Sequence, residues 1–146
     1  MAQVTATQSI TIAAAPERVL AAVADYNHRG EILPPNYRDY RVIEGGVGAG
    51  TVAEWILQAT EKRSRTVHAT VAVAANTVTE TDANSSMVTT YRVDGGAGDQ
   101  STVTITTTWK GAGGIGGFFE KIFAPKGLAR IYGELLTNLK VRVEKG

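Results

Sequence analysis

Cysteine is absent from the 146-residue sequence, and histidine occurs only twice, at His28 and His68. The absence of cysteine excludes disulfides, thiol nucleophiles, cysteine-bound zinc and iron–sulfur clusters. The two histidines stand in no spacing with Asp or Glu that is typical of a metal site, so we predict no metal and no other cofactor. The sequence also lacks the apolar run of about 18 residues that a membrane-spanning helix needs.

Charge of one sign is not in excess, because 15 Lys and Arg residues balance 14 Asp and Glu residues, for a formal net charge of +1. That balance gives no reason to expect a nucleic acid or an anionic membrane surface as partner. The first residues, MAQVTATQSI, lack the basic region and apolar stretch of a signal peptide. We therefore predict a cytoplasmic protein that is not stably inserted in a membrane.

The composition is that of a globular protein, with 43% hydrophobic and 20% charged residues. A chain of this length suits one domain, since compact domains usually take about 100–200 residues. We see no internal repeat, linker or second compositional class, so residues 1–146 are predicted to form a single domain. Its oligomeric state cannot be read from the sequence.

Apolar and polar residues alternate along most of the chain, which is typical of half-buried strands. The turns between these segments are short and rich in Gly, Asn and Asp, so consecutive strands are predicted to pair antiparallel. The strands are predicted near 3–13, 37–44, 51–60, 64–75, 77–83, 87–94 and 101–110.

Helical patterns occur near both ends of the chain. Pro16 and Glu17 suit the first turn of a short helix over 16–26. A second short helical turn is predicted near 31–33, before Pro34-Pro35 ends it. The longest pattern covers 126–143, after a shorter segment at 118–123, and its apolar face is formed by Leu128, Ile131, Leu135 and Leu139. The order predicts an α+β fold of two layers, a seven-stranded antiparallel sheet wrapped around a long C-terminal helix.

Parity assigns the strand residues to two faces, and the inner face combines aromatic with small side chains. Thr102, Thr104 and His68 fall on the opposite face, which is predicted to contact solvent. Small residues opposite a helix that carries Gly127 and Gly133 favour a ligand-sized cavity, although the neighbouring aromatic rings are an alternative filling. The inner set is Ala53, Trp55, Leu57 and Ala59, then Val67, Ala69, Val71 and Val73, then Met87, Thr89, Tyr91 and Val93, and finally Val103, Ile105, Thr107 and Trp109.

The sequence contains few residues in arrangements that are typical of catalysis. No serine lies in a nucleophile-elbow pattern, and no carboxylate pair is assigned to the inner face. The segment from Gly111 to Gly116 fits G-x-G-x-x-G, but a dinucleotide site needs a following parallel strand, and here the chain ends in a helix. We interpret this segment as a loop and leave the catalytic residues unassigned.

Short motifs at the ends of the predicted elements carry a family resemblance. They are Ala14-Ala15-Pro16-Glu17-Arg18-Val19, Asp25-Tyr26, Val42-Ile43-Glu44-Gly45, Gly48-Ala49-Gly50-Thr51-Val52, and Leu128-Ala129-Arg130-Ile131-Tyr132 with Leu135, Leu139 and Lys140. In this order and spacing the chain resembles the helix-grip superfamily of START and Bet v 1-like proteins (SRPBCC), in particular its bacterial polyketide cyclase/dehydrase and lipid-transport branch. The resemblance implies a seven-stranded sheet gripping the C-terminal helix, two short helices between the first two strands, and an internal cavity.

Two functions that use the interior are compatible with these features, and a third reading is an interaction module that binds another macromolecule through its outer sheet face. The first is binding of a small, largely hydrophobic molecule such as a lipid, a polyketide or an aromatic metabolite. The alternative is an enzyme of the polyketide cyclase/aromatase or lyase kind, with Tyr26, His28, Tyr91 and Tyr132 as proton-transfer candidates. Mutually hydrogen-bonded ionisable groups in the interior would favour catalysis, whereas isolated polar groups would favour carriage.

Aromatic residues dominate the predicted ligand contacts, because their rings offer apolar area and some also offer a polar group. We expect the entrance between segments 27–36 and 113–125, since glycine and proline flank both and such segments open at low free energy. The predicted ligand-binding residues are Tyr26, His28, Leu33, Trp55, Tyr91, Trp109, Phe118, Phe119, Phe123 and Tyr132.

Overall fold

The computed structural model describes residues 3–60, 63–110 and 125–145. Within these ranges seven strands form one antiparallel sheet in the order β1-β7-β6-β5-β4-β3-β2. Consecutive strands from β2 to β7 are neighbours, and β1 pairs with β7 at the far side. The strands are β1 (Gln3–Ile12), β2 (Tyr37–Glu44), β3 (Val52–Thr60), β4 (Arg63–Ala74), β5 (Thr77–Asp82), β6 (Val88–Gly95) and β7 (Ser101–Lys110).

Two α-helices lie in the described ranges, α1 (Pro16–Ala24) and α2 (Pro125–Lys145). Pro16 and Glu17 open α1 as the sequence predicts. The second predicted short helix is a 3₁₀-helix of one turn, Arg29–Glu31, because Pro34-Pro35 follow too closely for an α-helix. The α+β helix-grip fold is thereby confirmed, with strand bounds within two residues of the predicted ones. Neither α-helix is long and apolar enough to cross a membrane.

The core lies between the inner face of the sheet and α2. Buried Leu128, Ile131, Leu135 and Leu139 form the inner stripe of α2, as predicted from their spacing. The closest packing of α2 is against β1, and its last turns reach α1, where the Arg18 guanidinium donates to the Val143 carbonyl. Small buried residues such as Ala69 lie on strands that α2 contacts less closely than it contacts β1.

The loop between β2 and β3 fixes the end of α1. The Gly46 carbonyl accepts hydrogen bonds from the backbone N–H groups of Tyr26 (2.8 Å) and Asn27 (3.1 Å), and Gly48 N–H donates to the Ala24 carbonyl (2.9 Å). Gly46 has φ +147°, and a Cβ there would lie 2.4 Å from the Asn27 side-chain oxygen. Only glycine permits this approach, which positions the residues directly after α1.

Candidate ligand-binding site

A buried ion pair joins the 3₁₀-helix to the middle of the sheet. Arg29 is 3% exposed and Glu80, on β5, is 6% exposed. Arg29 Nη1 lies 3.1 Å from Glu80 Oε2, and the second terminal nitrogen donates to the Val23 carbonyl. Taking two charges out of water is costly unless they are paired and hydrogen-bonded, so this contact determines how the 3₁₀-helix meets the sheet.

Two tyrosines enclose the Arg29 guanidinium and extend the network. Its central carbon lies 4.2 Å from the ring centroid of Tyr26 and 4.7 Å from that of Tyr91, within the range of cation–π attraction. Arg29 Nη1 also donates to the Tyr91 hydroxyl at 3.1 Å, while the Tyr26 hydroxyl donates to Glu80 Oε2 at 2.6 Å. These four side chains, Tyr26, Arg29, Glu80 and Tyr91, form what we call the arginine cluster.

A second buried polar group connects the sheet to α2. Thr89 and Thr107 are cross-strand partners on β6 and β7, and their hydroxyl oxygens are 2.7 Å apart. The Thr107 hydroxyl also forms a hydrogen bond with the Tyr132 hydroxyl, which α2 brings toward the sheet. All three residues are buried, so each hydroxyl is satisfied inside the protein rather than by bulk water.

Three further aromatic residues lie at the β2–β3 side of the arginine cluster. The ring centroids of Tyr37 and Tyr40 are each 6.0 Å from that of Trp55, in tilted arrangements. The Tyr40 hydroxyl donates to the Tyr26 carbonyl at 2.5 Å, which ties this group to the cluster. Trp55 is buried, and its indole Nε1 has no hydrogen-bond partner in the described part of the chain.

Burial keeps the tyrosine hydroxyls protonated. Desolvation raises the pKa of Tyr26, Tyr37, Tyr91 and Tyr132 well above the ordinary value, and it raises the pKa of Tyr40 to about 12. Desolvation lowers the pKa of the Arg29 guanidinium, but Tyr26, Tyr91 and Glu80 raise it by more, so this group stays charged. The interior therefore combines one compensated cation with neutral phenols that can donate protons in hydrogen bonds.

These pKa shifts predict an alkaline instability. The sequence contains five tyrosines, all with a raised pKa in the folded chain, so the unfolded chain loses tyrosine protons first as pH rises. Tyrosine ionisation should therefore leave the free energy of unfolding unchanged between about pH 7 and pH 9 and make it fall steadily above about pH 10.

Absorbance of tyrosinate, followed against pH with circular dichroism in parallel, checks this expectation. The tyrosines should remain un-ionised in the native protein at pH 10.5 and ionise together when the fold is lost. Gradual ionisation near pH 10 in a protein that keeps its native spectrum would show that the hydroxyls contact solvent.

The structure separates the predicted site residues into three groups. Tyr26, Trp55, Tyr91, Trp109 and Tyr132 are all buried, and three of them take part in the hydrogen-bonded groups described above. Phe118, Phe119 and Phe123 fall outside the described residues, as does the predicted helical segment 118–123 and most of the 113–125 side of the expected entrance. Their roles remain predictions.

His28 and Leu33 lie at the edge of the interior. The His28 side chain is 56% exposed, and its Nδ1 lies 2.8 Å from Asp25 Oδ2. It borders a surface crevice of about 220 Å³ between α1 and α2, together with Asp25 and Arg142. Leu33 is partly buried and packs against the core. In the described ranges, neither His28 nor Leu33 forms a hydrogen bond with a side chain of the arginine cluster.

Sequence reasoning missed the two charged members of the arginine cluster, Arg29 and Glu80. The parity of β5 contains a signal for Glu80, because Val78 is buried and Glu80 and Asp82 share its face. Asp82 is explained by the turn that follows, since it accepts from the backbone N–H of Asn84 and from the Ser85 hydroxyl. No comparable turn contact explains Glu80, whose partners are Arg29 and Tyr26.

Metal binding has no candidate ligand set in the described ranges. No group of three or more His, Asp or Glu side chains there is arranged to hold an ion. His68 lies on the outer face, between the buried Val67 and Ala69, and its Nδ1 is 3.1 Å from Glu54 Oε2.

The sequence matches the model of a known protein family over nearly its whole length. The family model described as "Polyketide cyclase / dehydrase and lipid transport" matches residues 3–144. The chain belongs to this family. No protein of curated function matches the sequence.

Solved structures agree with the assignment. The NMR structure of the KanY protein is 56% identical and covers 99% of both chains, with a TM-score of 0.89. The Zhui aromatase/cyclase from Streptomyces sp. R1128 is 15% identical, covers 99% of this chain and 95% of its own, and has a TM-score of 0.77. A START superfamily protein from Mycobacterium smegmatis is 12% identical over 97% of each chain, with a TM-score of 0.71. The last two share the START/Bet v 1 fold with this family member.

Proposed function

We propose that this protein binds a small, largely hydrophobic molecule between the inner face of the sheet and α2, with a polar end of that molecule at the arginine cluster. The observation that carries the proposal is the position of the cluster itself. Four hydrogen-bonded polar side chains are buried on the inner side of a sheet whose inner face also carries apolar residues such as Ala53, Leu57 and Val71. Ligand pockets have this composition, with apolar walls and a few placed polar groups that fix orientation.

We propose that the ligand lies against Ala69, which is fully buried on β4 and has a small side chain, whereas α2 packs most closely on β1. Membership in a family of cyclases and lipid-transport proteins is consistent with an internal ligand. We also propose that the protein acts in the cytoplasm, as the absence of cysteine favours.

Filling the proposed space should block binding without unfolding the protein. Ala69→Leu adds three carbon atoms on the inner face, and we expect it to weaken binding of a naphthalene sulfonate probe by at least about tenfold, since about 1.4 kcal/mol of contact loss suffices. Fluorescence titration with the probe measures the affinity, and urea denaturation measures the stability.

Ala72→Leu is the matched control, because Ala72 lies on the same strand but is exposed on the outer face. It should leave probe binding unchanged. If the interior is instead solidly packed, Ala69→Leu will destabilise the fold by about 1–3 kcal/mol through overpacking and will leave probe binding unchanged. That pair of results would contradict the proposal. Native mass spectrometry of freshly purified protein would then identify any ligand that co-purifies.

A second candidate function is supported by the mutual hydrogen bonding of the cluster. Tyr26, Glu80, Arg29 and Tyr91 are ionisable groups joined in one buried chain, which is the arrangement expected of a catalytic rather than a carrier interior. On this alternative the protein is a polyketide cyclase/aromatase-type enzyme. The neutral Tyr91 hydroxyl, held by Arg29, would act as a hydrogen-bond donor or general acid toward a substrate oxygen.

A synthetic poly-β-ketone thioester tests the enzymatic alternative. Formation of an aromatic product, followed by absorbance, should be faster with the protein than without it. Tyr91→Phe should abolish this acceleration, while Thr104→Ala on the outer face should retain it. Equal rates with and without the wild-type protein would exclude this alternative for that substrate class and leave ligand binding as the proposal.

A further inference from the structure

The crevice between α1 and α2, which we call the α1–α2 crevice, lies on the surface and has a volume of about 220 Å³. Its apolar lining comes from both helices and from the segment after α1, through Ala21, Ala22, Ile32 and Leu139. Ile32 and Leu139 are buried core residues, whereas the two alanines have side chains too short to fill the gap. Such a lining can remove a ring or a short acyl chain from water.

Two hydrogen bonds join the walls of the crevice. The Asn138 side-chain nitrogen donates to the Ile32 carbonyl at 3.0 Å, and the Arg18 guanidinium donates to the Val143 carbonyl. The two α2 positions in these bonds lie on either side of the residues of that helix that line the crevice. The crevice is therefore formed before any ligand arrives, and its bridged walls suit a small molecule better than an extended chain.

The charged groups of the crevice differ in how far they are already engaged. Both carboxylate oxygens of Asp25 are used by His28, Oδ1 at 3.3 Å from the backbone nitrogen and Oδ2 at 2.8 Å from Nδ1. Arg142 Nη1 donates to Glu31, and Arg142 forms no other hydrogen bond with a described residue. Because a guanidinium has five N–H donors, Arg142 retains donors for a further acceptor in the crevice.

The pair of Arg142 with Glu31 does not prevent such a contact. Its side chains are 39% and 55% exposed, and exposed ion pairs contribute little to stability. A second carboxylate can therefore share the guanidinium without breaking a buried pair. Arg29 also lines the crevice, but its charge is compensated by Glu80 at 3.1 Å and is not needed for this contact.

From these contacts we propose that the α1–α2 crevice is a second ligand site, which takes a small carboxylate with an apolar body similar in size to benzoate. The body lies on Ala21, Ala22 and Leu139, and the carboxylate accepts hydrogen bonds from Arg142. Charge-assisted bonds of this kind are stronger than neutral ones, and a guanidinium matches the geometry of a carboxylate. This site does not depend on the ligand proposed above for the interior.

Other ligand chemistries fit the crevice less well. An ammonium group would be repelled by Arg142 and would find both oxygens of Asp25 engaged by His28. A neutral amide could accept from Arg142, but without the charge that strengthens the bond.

Three probes with the same ring test the proposal: benzoate, benzamide and benzylamine carry an anionic, a neutral and a cationic group. Titration followed by ¹H–¹⁵N NMR gives both the affinity and the location. We expect benzoate to bind at least about fivefold more tightly than either of the other probes, and to shift the amides of Ala21 and Ala22 and the side-chain amide of Asn138. Its affinity should fall as salt is added, since the contact is exposed.

A pair of variants separates the contact with Arg142 from the overall charge of the protein. Arg142→Gln should lower benzoate affinity at least about fivefold and leave benzamide affinity nearly unchanged. Arg41→Gln is the matched control, because Arg41 is also an exposed arginine paired with a carboxylate, that of Glu54, and its loss changes the net charge equally. It should bind benzoate as the wild type does, and the ¹⁵N spectrum of each variant checks that the fold is retained.

The outcomes keep this site distinct from the interior. Equal affinities for the three probes, or an equal loss of benzoate affinity in both arginine variants, would overturn the proposal. Benzoate shifts at the Trp55 indole without shifts at Ala21 and Ala22, or loss of benzoate binding in Ala69→Leu, would place the carboxylate in the interior and overturn it as well. Unchanged benzoate binding in Ala69→Leu supports a separate site and leaves the test of the interior ligand unaffected.

Discussion

Replacing Arg29 with methionine is expected to lower the free energy of unfolding by about 3–5 kcal/mol, the usual cost of leaving the other half of a buried ion pair without its partner. Methionine preserves the apolar stem of the side chain but leaves Glu80 buried with the Tyr26 hydroxyl as its remaining side-chain donor among the described residues. Denaturation in urea at pH 7 measures the loss.

Removing the second charge distinguishes a charge-based cause from lost packing. If the loss comes from the unpaired Glu80 carboxylate, neutralising that carboxylate should reduce it. A loss in the double variant Arg29→Met, Glu80→Gln as large as in Arg29→Met alone would contradict a charge-based origin.

Two comparison variants complete the experiment. Arg29→Met combined with Glu80→Gln removes both charges and should recover part of the loss, because no buried charge remains unpaired. Arg92→Met breaks an exposed pair with Asp94, whose closest atoms are 2.8 Å apart at 60% and 43% side-chain exposure. This change should cost less than about 1 kcal/mol.

The second large effect that we expect comes from truncating one buried side chain on the inner stripe of α2. Leu135→Ala should reduce the free energy of unfolding by about 2–5 kcal/mol, because a fully buried leucine is removed from the long helix that covers the sheet. Thr104→Ala, on the outer face of β7, should cost well under about 1 kcal/mol. Equal denaturation midpoints for the two variants would mean that the inner and outer faces of α2 and β7 are wrongly assigned.

Strand and helix positions were predictable because they depend on local periodicity. The alternation in Ser101–Lys110 leaves only one choice of inner face, and Val103, Ile105, Thr107 and Trp109 are indeed buried. The 3.6-residue spacing of α2 fixes its inner stripe in the same way. The short turns predicted the antiparallel pairing of consecutive strands, and the family resemblance implied the same sheet around the C-terminal helix.

The arginine cluster was harder to predict because its members come from distant parts of the chain. Arg29 follows the first helix in a turn, where an arginine is normally exposed, and its pairing with Glu80 spans 51 positions. Residue type therefore argued against burial at both positions. Only the parity of Thr77–Asp82 signals an inward carboxylate, and nothing local indicates that its partner is Arg29.

The most direct test of an interior ligand site at the arginine cluster is ¹⁵N NMR of the protein on addition of the naphthalene sulfonate probe. The sequence contains two tryptophans, so the indole N–H signals are two, and Trp55→Phe assigns them. We expect the Trp55 indole and the Arg29 Nε–H signals to shift on binding, while the amides of Thr102 and Thr104 on the outer face stay unchanged. Shifts confined to the outer face, or no shifts at a high concentration of the probe, would contradict an interior ligand site.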